Sequence, residues 1–162
     1  MLSLGIDPGT ATIGYGLVRE LDDGSLQAVA YGVISTSPKD PMWQRLQIIH
    51  DSLKDIIHQF KPDRVAVEEL FFAKNITTAL TVAQGRGVIL LTLAQTGVTI
   101  AEYKPNEVKQ SITGYGAAKK PQIQEMVRLL LGLEDIPKPD DAADALAIAI
   151  TDINQSRYTL LE

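Results

Sequence analysis

Leu2-Ser3-Leu4-Gly5-Ile6-Asp7-Pro8-Gly9-Thr10, followed by Ile13-Gly14-Tyr15-Gly16-Leu17-Val18, sets the architecture of this chain. Leu2, Leu4 and Ile6 alternate with Ser3, Gly5 and Asp7, the period-two pattern of a strand with one apolar face. The strand ends on an acid. Proline then glycine after Asp7 predict a type II turn. A second strand follows over residues 13–18, with glycines that let another backbone or a ligand come close. Asp22-Asp23-Gly24 marks the next turn, and residues 26–35 form a third strand. Three strands joined by short turns read as an antiparallel meander.

Downstream the period changes. Trp43, Leu46, Ile49, Leu53, Ile56 and Phe60 recur at spacings of three and four, so residues 41–60 are a helix with one apolar stripe. Lys61-Pro62-Asp63 stops it. Residues 64–70 return to period two, with Val65 and Val67 on one face and Ala66, Glu68 and Leu70 on the other. A loop over 71–75 leads into a helix over 76–95. Gly85 and Gly87 inside that helix predict a close contact with another helix, of this chain or of a second subunit. A strand over 98–103 and a helix over 105–112 follow, with Pro105 near the helix start. Residues 114–120 read as a flexible segment. Helices over 122–131 and 140–154 complete the order β-β-β-α-β-α-β-α-α-α. That order predicts one α/β domain over residues 1–155, a five-stranded mixed sheet with helices on both faces, and a fraying tail over 156–162.

Composition bounds the function. At 162 residues, 45% apolar and 22% charged, the chain can bury a core and is not disordered. No uninterrupted apolar run reaches the ~18 residues of a membrane span. The N-terminus lacks a basic start and a cleavage site, so no signal peptide is expected. The absence of cysteine excludes disulfides, thiolate metal sites and a cysteine nucleophile, and it suits the cytoplasm. Only His50 and His58 offer imidazole. Between residues 71 and 120, Lys74, Arg86, Lys104, Lys109, Lys119 and Lys120 face only Glu102 and Glu107, an excess of +4 inside a chain of net charge −5. Such a stretch is either a polyanion-binding face or a set of solvated helix faces.

Four acids stand out by position. Asp7 ends an apolar strand and Glu68 interrupts one. Asp141 and Asp144 lie three apart in the first turn of the last helix, so they share a face, and the alanines around them turn that face inward. Singly, each has a plain reading: Asp7 can accept hydrogen bonds from its turn, Glu68 can pair with an arginine, and Asp140 and Asp141 can cap a helix. Together, four clustered carboxylates raise each other's pKa unless cations neutralise them. Their charge matches two divalent ions, and oxygen-only donors select Mg²⁺ or Mn²⁺. Two such ions about 4 Å apart suit phosphoryl displacement. Glu69, next to Glu68 on a strand, is expected to face away and to be structural.

The motifs Gly5-Ile6-Asp7-Pro8-Gly9-Thr10 with Gly14-Tyr15-Gly16, then Glu68 followed by Phe71-Phe72-Ala73-Lys74-Asn75, then Asp140-Asp141-Ala142-Ala143-Asp144-Ala145-Leu146-Ala147, resemble the RuvC family of bacterial Holliday junction resolvases. The likeness covers nearly the whole chain, in order. It implies an RNase H-like fold and a homodimer that cuts a four-way DNA junction symmetrically, working with the RuvA and RuvB branch-migration proteins. It implies that Asp7, Glu68, Asp141 and Asp144 are the catalytic, metal-binding set; some relatives carry histidine at the place of Asp141. Phe71 matches the family's base-stacking residue, and Lys109 and Lys120 match basic residues near the DNA backbone and the active site. Phe72, Lys74 and Lys119 join them as expected DNA contacts, with Lys120 also stabilising charge on the phosphate. Phe71 is expected to point out and Phe72 in. The helix over 76–95 is the expected dimer interface. Two rivals stay open: a junction-binding relative without activity, and a nuclease of the same fold acting on other branched or RNA-containing substrates. A nucleotide-binding reading needs a second domain and a second phosphate turn, which the sequence lacks.

Overall fold

The computed structural model describes residues 1–69 and 76–159, the last two by their backbone. Strands β1 (Leu2–Asp7), β2 (Thr12–Glu20), β3 (Leu26–Ser35), β4 (Arg64–Glu68) and β5 (Thr99–Tyr103) form one sheet in the order β3-β2-β1-β4-β5. The β1–β2 and β2–β3 pairs are antiparallel, the expected meander, and β4 and β5 add in parallel. Helices α1 (Met42–Phe60) and α2 (Ile76–Thr96) cover one face; α3 (Pro105–Thr113), α4 (Lys120–Leu130) and α5 (Asp140–Thr159) cover the other. This is the five-stranded mixed sheet of the RNase H-like fold expected above.

Period two divides each strand between two cores. Leu4, Ile6, Val65 and Val67 pack with Ile49, Leu53, Ile89 and Leu93 on the α1–α2 side. Ala66 packs with Leu146, Ile150 and Val127 on the other side. Ser3, Gly5 and Asp7 alternate with the apolar residues of β1 and so face α5, as does Glu68 beyond Ala66.

Glycines set how close α5 lies. A Cβ on Gly5 would sit 2.0 Å from the Ala145 oxygen, and one on Gly14 would sit 1.9 Å from the Asp141 oxygen. A Cβ on Gly16 would meet the backbone nitrogen and side chain of Leu146 at 2.8 Å. The backbone approach predicted for these glycines is therefore made by α5. Gly14 pairs with Asp7 across β1 and β2, so the N-terminal turn of α5 comes down at the Asp7 end of the sheet.

Several local expectations are corrected. The Asp7-Pro8-Gly9-Thr10 segment is not a type II turn, because Gly9 does not adopt positive φ. Glycine is needed there for space: its Cβ would lie 2.1 Å from the Thr12 oxygen. Trp43 is 68% exposed rather than buried. Arg45 takes the inward place in that turn and donates from Nε to Thr36 Oγ1 at 2.9 Å, so the buried stripe runs Arg45, Ile49, Leu53, Ile57 at a strict spacing of four. Gly85 packs on Gly9 of its own chain, with a Cβ at 2.6 Å from the Gly9 oxygen, whereas Gly87 faces open space. α4 begins at Lys120, two residues before the expected start at residue 122, so the 114–120 segment is not flexible at its end: Lys119 is the N-cap and Lys120 the first helical residue, with Pro121 in the first turn. α5 continues through Ser156 and Arg157, and Arg157 pairs with Glu20 at 2.7 Å. By length and composition α2 would pass for a membrane span, at a mean hydropathy of 1.4 with 22% of that window buried. Its Gly85, Ile89, Thr92 and Leu93 are packed inside the domain.

Candidate active site

The site is assembled by three elements. Ile6 pairs with Val67 in the parallel β1–β4 ladder, so the next residues, Asp7 and Glu68, end neighbouring strands on the same face. The first turn of α5 brings Asp141 and Asp144 to that edge, held down through Gly14. α3 and α4 add Lys109 and Lys120. Glu68, Lys109, Lys120 and Asp144 line a cleft of about 250 Å³ floored by Val108 and Ile123.

The electrostatics follow from this crowding. Burial, then the charges of Glu68, Asp144 and Asp141, push the Asp7 carboxyl from 3.8 up to about 8, against the pull of Lys120. Burial, then Asp144, pushes Glu68 from 4.5 up to about 7, against Lys109. Asp144 is also raised by burial, and its hydrogen bond from Lys120 works the other way. Lys120 Nζ lies 3.0 Å from Asp144 Oδ2 and 3.3 Å from Asp140 Oδ2. Burial disfavours its ammonium, but the bonds to Asp144 and Asp140 prevail and raise its pKa.

The four acids therefore share one neighbourhood, and Asp7 feels the other three. They do not form a closed ligand set: among the described residues, no group of three or more acids or histidines is arranged so as to hold a metal ion. Donor chemistry nonetheless fits hard cations. Two half-buried carboxylates near pKa 7–8 and two more acids beside them present only oxygen, and their mutual repulsion is what a divalent cation relieves.

Of the other expected residues, Lys109 borders the cleft beside Glu68. Lys119 is exposed at the α4 N-cap, where Gln122 Oε1 accepts its backbone N–H at 2.9 Å. Phe71, Phe72 and Lys74 lie outside the described residues. Glu69 lies beyond the end of β4 and donates its backbone N–H to the Tyr103 oxygen at 2.8 Å.

Three contributors were not foreseen. Asp140 joins α5 to α4 by accepting from Lys120 and from Gln124 Nε2 at 3.1 Å. Arg86 on α2 donates from Nε to the Glu68 carbonyl at 3.4 Å and pairs with Glu102. Its signal was visible: it is the one ionisable residue in an otherwise uncharged helix. Asp152 is fully buried at the opposite end of α5.

Comparison with known proteins agrees with this geometry. The family model for crossover junction endodeoxyribonuclease RuvC matches residues 3–152. The crossover junction endodeoxyribonuclease RuvC of Heliobacterium modesticaldum is 57% identical over 150 residues, covering 93% of this chain and 92% of that relative. The Thermus thermophilus RuvC structure superposes with a TM-score of 0.91 at 37% identity, over 98% of this chain and 97% of the other. T. thermophilus RuvC in complex with a Holliday junction substrate gives 0.89 at 35% identity, over 98% and 96%. A superposition that holds along the chain and identity sustained over the whole domain lead to one conclusion: this chain belongs to the RuvC family of crossover junction endodeoxyribonucleases, and it is a nuclease.

Proposed function

We propose that this protein resolves four-way (Holliday) DNA junctions as a homodimer, hydrolysing one phosphodiester in each of two strands and leaving 5′-phosphate and 3′-hydroxyl ends. The observation that carries the reading is the half-buried acid pair Asp7 and Glu68, both held well above ordinary carboxylate pKa values beside Lys109 and Lys120. In such a site, Asp7, Glu68, Asp141 and Asp144 would hold two Mg²⁺, with Mn²⁺ as a substitute. Bound there, the cations supply an acidified water and neutralise charge on the attacking and leaving oxygens.

The chain's own groups do the rest. Asp7, coupled to all three other acids, is the residue suited to bridge both ions. Glu68 would hold the cation on the nucleophile side, and Asp141 and Asp144 the other. Lys120 Nζ, 3.0 Å from Asp144, is within reach of a phosphate seated on the acids and offsets its developing charge. Lys109 and Lys119 would contact the DNA backbone, as would Lys74, with Phe71 stacking at the crossover.

Two identical sites match the approximate two-fold symmetry of a four-way junction. The outward face of α2 is the proposed dimer surface, because Leu80 (62% exposed) and Leu91 (58% exposed) flank Gly87, which has open space above it. RuvA and RuvB are the proposed functional partners in recombination and repair, and the cytoplasm is the matching location.

The test is cleavage of a synthetic mobile junction with Mg²⁺ or EDTA, beside linear duplex and an RNA–DNA hybrid. Paired symmetric nicks in the junction alone, requiring metal, are expected. Cutting of the hybrid in preference to the junction would move the substrate, and binding without cutting would leave a scaffold.

A further inference from the structure

At its site end α5 lies close on the sheet over glycines. Ala145 and Ala149 lie over Gly5, and the Asp141 backbone lies over Gly14. Alanine on glycine packs closely but offers shallow ridges there, so axial register rests on the rest of the helix: the apolar contacts of Leu146 and Ile150, which are not directional, and the polar contacts beyond them. A metal site needs its donors held within about 0.5 Å, which such a contact does not guarantee.

The constraint lies at the far end. Asp152, fully buried, accepts from Ser3 Oγ at 2.8 Å, from Arg64 Nε at 3.1 Å and Nη2 at 3.0 Å, and from Tyr103 OH at 3.0 Å. These donors belong to β1, β4 and β5, so one carboxylate is tied to three strands at once. Two of them, β1 and β4, end in Asp7 and Glu68. Asp152 follows Asp141 by eleven residues, about 16 Å along the helix. The bonds are charge-assisted and directional, and buried polar groups of this kind are best attested as setters of register.

We propose that Asp152 is a positioning residue: its bonds to Ser3, Arg64 and Tyr103 fix the axial register of α5 and so place Asp141 and Asp144 against Asp7 and Glu68. The proposal rests on the carboxylate reading above. None of the four residues lines the cleft between Glu68 and Asp144. They act through the helix and the strands that they join.

The test compares Asp152→Asn and Tyr103→Phe with wild type, each at a temperature where its own melting curve shows it fully folded. Three quantities are measured: single-turnover cleavage of the four-way junction, the Mg²⁺ concentration at half-maximal rate, and junction binding in Ca²⁺. Since a misplacement of about 1 Å costs roughly 10²-fold in rate, Asp152→Asn is expected to slow cleavage at saturating Mg²⁺ by about tenfold or more. Its Mg²⁺ midpoint should rise by about threefold, with junction binding unchanged within about twofold. Tyr103→Phe, which keeps the volume and removes one bond, should shift both quantities the same way by less. A lower melting temperature with wild-type rate and wild-type Mg²⁺ midpoint in the folded variants would overturn the proposal. If Asp152→Asn does not fold, Tyr103→Phe and Ser3→Ala decide the matter on the same readouts. An Asp7→Asn control separates the two levels: cleavage retained in that variant would overturn the carboxylate reading itself.

Discussion

Replacing Asp7 by asparagine should stabilise the metal-free protein at alkaline pH while abolishing junction cleavage. In the fold the Asp7 carboxyl titrates near 8, against 3.8 for an ordinary aspartate, chiefly because it is buried and next because Glu68 carries like charge. The folded state thus holds the proton more tightly than the unfolded chain does. The group's stabilising contribution is fully present below about pH 4 and is lost as pH rises through about 8. At pH 9 the folded protein carries a buried anion that the unfolded chain would carry in water. Moving the carboxyl from 3.8 to about 8, at ~1.4 kcal/mol per pH unit, bounds the effect at ~6 kcal/mol. The acids titrate as a coupled group, in which one proton relieves several charges, so about 2–3 kcal/mol is the expected net change. For a chain of this size that is roughly 4–12 °C in melting temperature. Calorimetric melts of wild type and Asp7→Asn in EDTA at pH 5, 7 and 9 make the measurement. Wild type should lose stability across this range more steeply than the variant, which should melt higher at pH 9. Added Mg²⁺ should raise wild type more than the variant. Parallel pH dependence of the two proteins, or a variant less stable at pH 9, would refute the reasoning.

Gly14→Ala places a Cβ 1.9 Å from the Asp141 oxygen, so α5 must lift at its N-terminal turn. A loss of about 1–3 kcal/mol in urea unfolding and a severe loss of cleavage are expected, and wild-type values for both would contradict the close approach. Lys120→Ala removes a half-exposed ion pair, so its stability should change by less than about 1 kcal/mol. Its cleavage rate should still fall by about 10²-fold at unchanged junction affinity, as kinetics and gel-shift titration would report. Leu91→Asp alters an exposed residue of α2 and should leave the melting temperature nearly intact. Sedimentation velocity should then show monomer where wild type forms the proposed dimer, and a dimer persisting in the variant would place the interface elsewhere.

Much of this arrangement was legible in the chain. Strict alternation in Leu2–Asp7 and Arg64–Glu68 assigns Asp7 and Glu68 to one face whatever their surroundings, because side chains alternate on a strand. The three-residue spacing of Asp141 and Asp144 puts them on one helix face for an equally local reason. Gly14 and Gly16 announced a close backbone approach, though not which backbone. Less was legible where a distant partner decides. Trp43 satisfied the helical period, but Thr36 draws Arg45 inward and leaves the tryptophan outside. Gly9 matched a turn rule, yet its glycine answers to the Thr12 carbonyl. Lys120 read as part of a flexible segment because glycines precede it, and only the acids at the start of α5 show why helix α4 begins at that lysine.

The sequence by itself determined the strand and helix periods, the pairing of acids on common faces and the family, since these depend on local geometry and on residue identity along the chain. Tertiary structure alone decided the elevated pKa of Asp7 and Glu68, the place of Lys120 between Asp140 and Asp144, and the seat of α5 on Gly5, Gly14 and Gly16. Desolvation and Coulomb energy depend on distances between groups far apart in sequence, and those distances exist only once the helix has been laid on the sheet.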